Sequence, residues 1–183
     1  MKRVILFVIF LFLITTRLAL AQEKMATDGA SLSPTPTPFV YQLPYPGLLP
    51  DSPLYFLKTF RDRLIDFLVS DPLKKAELNL LQSDKRLAGG IALFAKDKQT
   101  LAESTISKGE NYFSDAIAKT TEAKKAGMAT KDIVQKLTLS VQKHEAVLKD
   151  LEQKAPKEIK PRFTLLIQRV DDFEKQVEAL SKK

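Results

Sequence analysis

The sequence predicts an all-α protein: an antiparallel helical bundle of about five helices behind a signal peptide and a Pro/Thr-rich disordered arm. Only 6 of the 183 residues are glycine, and the strand-forming residues form no alternating runs. Apolar residues instead recur at three- and four-residue spacing in segments separated by Pro, Gly or short charged turns. Helices that are apolar on one face bury those faces most simply against one another, which predicts the bundle.

The N-terminus has the three-part form of a secretory signal peptide. Lys2 and Arg3 precede an apolar run over residues 4–14, and Ala19-Leu20-Ala21 forms a small-residue cleavage site. The alternative is an uncleaved N-terminal membrane anchor, against which Arg17 argues because its charge would lie in the hydrocarbon. We therefore expect an exported protein, located in the periplasm, at the cell surface or outside the cell.

Residues 22–40 are rich in Ser, Thr and Pro, with Pro34, Pro36 and Pro38 alternating with small polar residues. Such a composition cannot bury a core and favours an extended, partly polyproline-II tether. The sequence thus divides into a signal peptide (1–21), a disordered linker (22–40) and a helical bundle domain (41–183).

The start of the domain is marked by prolines. Pro46-Gly47 is a turn pair, with Gly47 able to take a positive φ. Asp51 or Ser52 followed by Pro53 predicts a helix N-cap with proline at the first helical position.

The first predicted helix is amphipathic. Lys58, Asp62 and Asp66 lie opposite an apolar stripe, which we expect to face the bundle. The stripe consists of Leu54, Leu57, Phe60, Leu64, Ile65 and Leu68. Three aromatic residues, Tyr55, Phe56 and Phe67, broaden the apolar side. We expect them to pack under the Pro-rich arm; the alternative is an exposed aromatic surface that binds a partner.

A second helix is predicted to start at Asp71-Pro72, which repeats the capping pattern. Its buried stripe runs from Leu73 to Phe94, and four basic residues are expected to point largely outward: Lys74, Lys75, Lys85 and Arg86. Gly89-Gly90 interrupts the helix and indicates either a kink or a close crossing by a neighbouring helix.

Three further helices follow. Lys96-Asp97-Lys98 predicts a turn before the third, and Gly127 fits its C-cap. Thr130 is expected to cap the fourth helix, which Pro156 ends, and Pro161 lies near the start of the last. The last helix has a near-heptad, coiled-coil-like spacing of apolar residues. These are Phe163, Leu166, Val170, Phe173, Val177 and Leu180.

Three segments resemble a known family. They are LPYPGLLPDSPLYFLKTFRD (residues 43–62), DPLKKAELNLLQSDKRLA (71–88) and KHEAVLKDLEQKAPKEIKP (143–161). They are similar to domain of unknown function 5667, a family of exported bacterial proteins with all-helical domains. The resemblance implies export and a helical fold but no activity, so no catalytic residue can be transferred. Relatives often have His at the position of Asn79. If a pair of histidines matters in those relatives, this chain lacks one member of the pair and keeps only His144.

The chain offers few residues for chemistry. It has no cysteine, which excludes disulfides, thiolate nucleophiles and Cys-ligated metals. His144, its only histidine, falls on the inner stripe of the fourth helix, where we expect a boundary residue satisfying a hydrogen bond. It lacks the Glu-x-x-His and His-Glu-x-x-His patterns of metal sites, and no nucleophile elbow or Gly-rich phosphate loop exists. We therefore predict no catalytic residue, no metal and no cofactor.

A glycosidase needs a pair of carboxylates, which three residues could in principle supply: Asp62, Asp66 and Asp84. Lys and Arg residues three or four positions away indicate surface ion pairs instead. The sequence therefore predicts that the protein is not an enzyme.

The expected function is that of a non-catalytic structural or protein-interaction domain of the cell envelope. The alternative is a module that binds an anionic envelope polymer or a membrane surface through basic clusters. Removal of residues 1–21 takes away Lys2, Arg3 and Arg17 and lowers the net charge from +7 to +4, a mild excess that is no evidence for nucleic-acid binding. No specific small molecule is predicted. The expected interaction surface comprises Tyr55, Phe56, Phe67, Lys74, Lys75, Lys85 and Arg86.

Overall fold

The computed structural model describes residues 41–182, and in this part of the chain the secondary structure is helical with no strand. Five helices follow one another: α1 Tyr55–Leu68, α2 Pro72–Phe94, α3 Gln99–Lys125, α4 Lys131–Lys154 and α5 Lys160–Ser181. The prediction of an all-α bundle of about five helices is confirmed. The predicted signal peptide and linker lie outside the described residues.

The bundle consists of two antiparallel hairpins, α2–α3 and α4–α5, packed against each other. α2 lies beside α4, and α3 lies beside α5. Ion pairs join the starts of neighbouring helices in both cases: Glu77 with Lys136 at 3.1 Å, and Glu103 with Arg162 at 3.4 Å. Each helix is therefore antiparallel to its partner within the hairpin and parallel to its neighbour across the interface.

The hydrophobic core lies between the hairpins. It is formed by the apolar stripes predicted for α2 to α5, with Leu87, Leu137 and Val170 among its buried members. Phe113 of α3 stacks on Phe173 of α5 with ring centroids 5.2 Å apart. These contacts remove apolar area from water at about 25 cal/mol per Å², the main stabilising contribution to such a fold.

Several helix ends form as predicted. The carboxylate of Asp71 accepts a hydrogen bond from the backbone N–H of Lys74 at 2.8 Å, and Pro72 is the first residue of α2. Gly127 ends α3 with φ of 76°, a conformation that favours glycine. α4 begins directly after Thr130, although the Thr130 hydroxyl makes no capping hydrogen bond with the described residues.

The predicted start of α1 is wrong. The helix begins at Tyr55 rather than at Pro53, and its N-cap position is Leu54. The Asp51 carboxylate binds Lys96 at 3.2 Å and Lys98 at 2.8 Å, at the turn between α2 and α3. Asp51 thus ties the segment before α1 to the bundle, and residues 50–54 form turns instead of a first helical turn.

The expected orientation of α1 is also wrong. No residue of this helix is buried, and Phe60, which was expected to face the bundle, is 69% exposed. α1 forms no extensive packing with another helix, whereas α2 to α5 each pack against at least two neighbours.

The paired glycines of α2 mark a close helix crossing. α2 continues through both without interruption. A Cβ on Gly90 would lie only 2.2 Å from Cγ1 of the buried Ile106 in α3, so no other residue fits there without displacement. A Cβ on Gly89 would meet Leu49 Cδ2 at an ordinary 3.5 Å. The two adjacent glycines therefore have different roles.

We expect Gly90→Ala to lower the free energy of unfolding by about 1–2 kcal/mol, because overpacking against Ile106 outweighs the gain in helix propensity. Gly89→Ala is the matched control, and it should leave stability unchanged or raise it by up to about 1 kcal/mol. Urea unfolding followed by circular dichroism measures both. Equal effects of the two substitutions would contradict the close crossing.

Candidate functional site

Polar side chains from three helices meet at the centre of the bundle around His144. Its Nδ1 lies 2.9 Å from Oε1 of Glu110 in α3, and its Nε2 lies 3.1 Å from Oδ1 of Asp84 in α2. All three residues are buried, and the His144 side chain is 1% exposed. We call these residues, with Ser140 and Tyr41, the histidine cluster.

Asp84 connects the remaining members of the cluster. Its Oδ1 accepts a hydrogen bond from the Ser140 hydroxyl at 2.6 Å, and its Oδ2 accepts one from the Tyr41 hydroxyl at 2.5 Å. One carboxylate thus joins α2, α4 and the segment that precedes α1. His144 adds α3 through Glu110.

Helical spacing places these polar groups in the core. Asp84 follows the buried Leu80 by four residues and precedes Leu87 by three, so it lies on the inner side of α2. Glu110 holds the corresponding position between Ile106 and Phe113 in α3. The Phe113 ring packs edge-on to the imidazole of His144 at 5.2 Å.

The electrostatics of the cluster favour a charged histidine. Burial by itself lowers the pKa of His144, but the Glu110 and Asp84 carboxylates outweigh it and raise the pKa to about 9. Near neutral pH the ring is therefore an imidazolium that donates a hydrogen bond to each carboxylate. Burial and the adjacent Asp84 raise the pKa of Tyr41 above its ordinary value, so its hydroxyl remains a donor.

The chemistry open to the cluster is limited by access. Both imidazole nitrogens are engaged by carboxylates, so neither is free to take a proton from a substrate or to bind a metal ion. Among residues 41–182, no group of His, Asp and Glu has an arrangement suited to a metal ion. The geometry constrains the helices relative to one another, since any arrangement that leaves one of these buried charges without its partner typically costs about 3–5 kcal/mol.

Two sequence-based interpretations are corrected here. Asp84 is not part of a surface ion pair, because it is buried and bound to His144, Ser140 and Tyr41. His144 is on the inner stripe as predicted but is fully buried rather than at a boundary. Glu110, Ser140 and Tyr41 were missed as partners. Glu110 and Ser140 could have been recognised as buried, because helical spacing places them among buried apolar residues. No local sequence pattern indicates that Tyr41 is a partner of Asp84.

The second feature of interest is α1, which attaches to the rest of the protein by its polar side. The Tyr55 hydroxyl accepts a hydrogen bond from Arg86 at 3.2 Å, and the Asp66 carboxylate binds Lys75 at 2.7 Å. The Lys58 ammonium donates to the carbonyl of Pro46 at 2.6 Å. Burial is the main factor that lowers the pKa of Lys58. In most amphipathic surface helices the polar side faces water, whereas in α1 the polar side faces the rest of the protein.

The opposite side of α1 consists of exposed apolar side chains. We call it the outer face, and its members are Phe56, Leu57, Phe60, Leu64, Phe67 and Leu68. Each is at least half exposed, from 50% for Leu64 to 82% for Phe67. Monomeric soluble proteins rarely leave a contiguous apolar patch of this kind uncovered.

The residues predicted to form an interaction surface differ in their exposure and contacts. Phe56 and Phe67 are on the outer face, whereas Tyr55 is half-buried on the polar side. The four basic residues also differ in their surroundings. Lys74 is exposed, Lys75 is bound to Asp66, Lys85 is half-buried, and Arg86 lies 5.0 Å above the Tyr112 ring.

Residues 47–158 match the family described as Domain of unknown function (DUF5667). The chain belongs to this family. The DUF5667 match contains α1 to α4 and the Asp84, Glu110 and His144 core of the histidine cluster, while Tyr41 and α5 lie outside it. No curated protein and no solved structure matches the chain significantly.

None of the helices within residues 41–182 combines the length and the hydropathy needed to span a bilayer.

We expect the DUF5667 bundle to lose stability as the pH rises from about 6.5, the usual pKa of unfolded histidine, through 9. A histidine whose pKa is raised by folding stabilises the folded state fully at pH values below its unfolded pKa. This stabilisation is lost as the pH rises through its folded pKa. The loss should be roughly 3 kcal/mol. Tyr41 would add to the loss only at higher pH, because its pKa is raised as well.

The chain contains one histidine, so its ring proton resonances can be titrated by NMR without ambiguity if no histidine tag is present. The folded protein should give a midpoint near pH 9. A midpoint at or below the unfolded value, or a stability that does not fall over this pH range, would contradict a charged His144.

We expect Tyr41→Phe to release the segment before α1, because the substitution removes the hydroxyl that binds Asp84. The loss of a hydrogen bond to a charged group should cost about 1.5–3 kcal/mol. Tyr45→Phe is the control, since Tyr45 is 83% exposed. Amide hydrogen exchange over residues 41–54 measures the release, and equal exchange in the two variants would show that the Tyr41 bond is unimportant.

Proposed function

We propose that this DUF5667 protein is an exported, non-catalytic interaction module of the cell envelope, in which the bundle presents the outer face of α1 to an apolar partner. The observation that carries the proposal is the orientation of α1, with polar side chains inward and phenylalanines and leucines outward.

An energetic argument supports the outer face as a contact surface. Burying a Leu or Phe side chain contributes about 1.5–3 kcal/mol of stabilising free energy. The six exposed side chains of the outer face would therefore contribute substantially to the free energy of binding if a partner covered them. Turning α1 over to bury them would break the bonds of Lys58, Asp66 and Tyr55 to the rest of the protein. A partner that covers the outer face gains the apolar burial without losing those polar contacts.

The histidine cluster supports a non-catalytic role. Asp84, Glu110 and His144 are at most 3% exposed, and each has a structural partner within the cluster. A substrate would have to separate α2, α3 and α4 to reach them. The cluster is better suited to making the bundle a rigid support for α1.

Export is supported by the leader-like composition of residues 1–21 and by the Pro/Thr-rich stretch that follows. In this arrangement the tether would hold the bundle at the envelope, and α1, the first helix after the tether, would meet the partner.

We expect Phe60→Ser combined with Phe67→Ser to abolish binding of the purified protein to an envelope fraction from its own cells. The free energy of unfolding should change by no more than about 0.5 kcal/mol, because neither side chain contributes to the core. Co-sedimentation measures binding, and urea unfolding measures stability.

Leu165→Ser is the matched control, because Leu165 is 65% exposed on α5, away from the outer face. It should bind like the wild type. The proposal fails if the double variant also binds like the wild type, or if it unfolds, since unfolding would make these phenylalanines part of the core.

A further inference from the structure

From the outer face and the charges at its edges, we infer that the partner is the surface of an anionic lipid bilayer. The inference rests on the proposed function and names the partner of the same surface. In the proposed complex, α1 lies parallel to the membrane surface, and its phenylalanines and leucines insert at the boundary between headgroups and acyl chains.

The outer face has the width of an interfacial helix. Successive residues of an α-helix are about 100° apart, so the six apolar residues occupy an arc of about 120°. Arg63 comes next at one edge of this arc, and Arg61 comes next at the other. A helix with Phe and Leu on one side and basic residues at the border is typical of segments that lie in a membrane interface.

The charges of α1 are sorted between its two sides. Both carboxylates point away from the outer face: the Asp62 side chain is only 10% exposed, and Asp66 is bound to Lys75. The Arg61 side chain is 60% exposed, although its guanidinium also binds Asp62 at 2.7 Å. Arg63 is exposed as well. The edges of the apolar surface are therefore positive, which complements anionic headgroups.

Neighbouring residues extend this positive border. Lys85 of α2 lines a groove together with Leu57 and Arg61. Lysine and arginine side chains at such a border can place their apolar stems along the acyl region and their charges among the headgroups.

The same sorting argues against a second copy of the chain as the occupant. A two-fold dimer through the outer face would bring the arginines of both copies to one interface. Asp62 already binds Arg61 of its own copy, and no other carboxylate of α1 lies at these edges to pair with the partner's arginines. The length of α1 argues against insertion across the bilayer. Its 14 residues are about 21 Å long, which is shorter than the hydrocarbon core.

Fluorescence offers a direct test, because the chain contains no tryptophan. The protein, purified as the cell exports it, would carry Phe60→Trp as a single probe and be mixed with vesicles of phosphatidylcholine, with or without one third phosphatidylglycerol. We expect a blue shift with the anionic vesicles. Leu165→Trp on α5 should show none.

Co-sedimentation with the same vesicles measures affinity. Phe60→Ser with Phe67→Ser should weaken binding at least tenfold, because burial of apolar side chains is lost. Arg61→Gln with Arg63→Gln should weaken binding to anionic vesicles by roughly fivefold per arginine. Lys175→Gln, a change at an exposed lysine of α5, should have little effect.

The lipid inference is overturned if the protein binds neither kind of vesicle, or if it binds both equally and the arginine substitutions change nothing. If binding to the envelope fraction still depends on Phe60 and Phe67 in that case, the partner is a protein and the proposed function stands. If sedimentation velocity shows a dimer that the phenylalanine substitutions dissociate, the partner is a second copy of the chain. The lipid inference then fails, and the outer face remains a contact surface. If the phenylalanine double variant still binds both the envelope fraction and the vesicles like the wild type, both proposals are overturned.

Discussion

The ion pairing of His144 is the interaction on which the rest of the bundle depends. An imidazolium placed between two carboxylates in the core is favourable only when all three groups are in position, because each charge is costly when buried alone. Apolar side chains tolerate small shifts between helices, whereas these hydrogen bonds do not. The cluster therefore sets the positions of α2, α3 and α4 relative to one another, and the apolar core fills in around it.

The same cluster extends to the surface that we propose to be functional. Asp84, held by His144 and Ser140, is also the acceptor for Tyr41. The segment after Tyr41 then crosses α2 near Gly89, where Leu49 can lie close to the helix backbone. Its carbonyl oxygens at Pro46 and Leu48 receive the Lys58 ammonium of α1. Polar contacts at its two ends, at Tyr41 and at Pro46 and Leu48, let this segment connect the buried histidine to the orientation of an exposed helix.

Much of the fold could be predicted because its signals are local. Asp71-Pro72 starts α2, Gly127 ends α3, and the apolar spacing of α2 to α5 identifies their buried sides. The pair Gly89-Gly90 indicated either a kink or a close helix crossing, because glycine is a poor helix former. The structure has the crossing, at Gly90. The start of α1 was missed because Asp51, which resembles an N-cap, is instead bound by lysines 45 and 47 residues further along the chain.

The sequence by itself determined which side of each helix is apolar, where α2 to α5 begin and end, and that the described domain is all-α. Only the tertiary structure decided which charged residues are buried and which way α1 faces. The physical reason is that a carboxylate next to lysines has a plausible partner nearby, while the partner that Asp84 takes is 60 residues away. An amphipathic pattern likewise specifies two sides of a helix, but bonds to distant groups decide which side meets the protein.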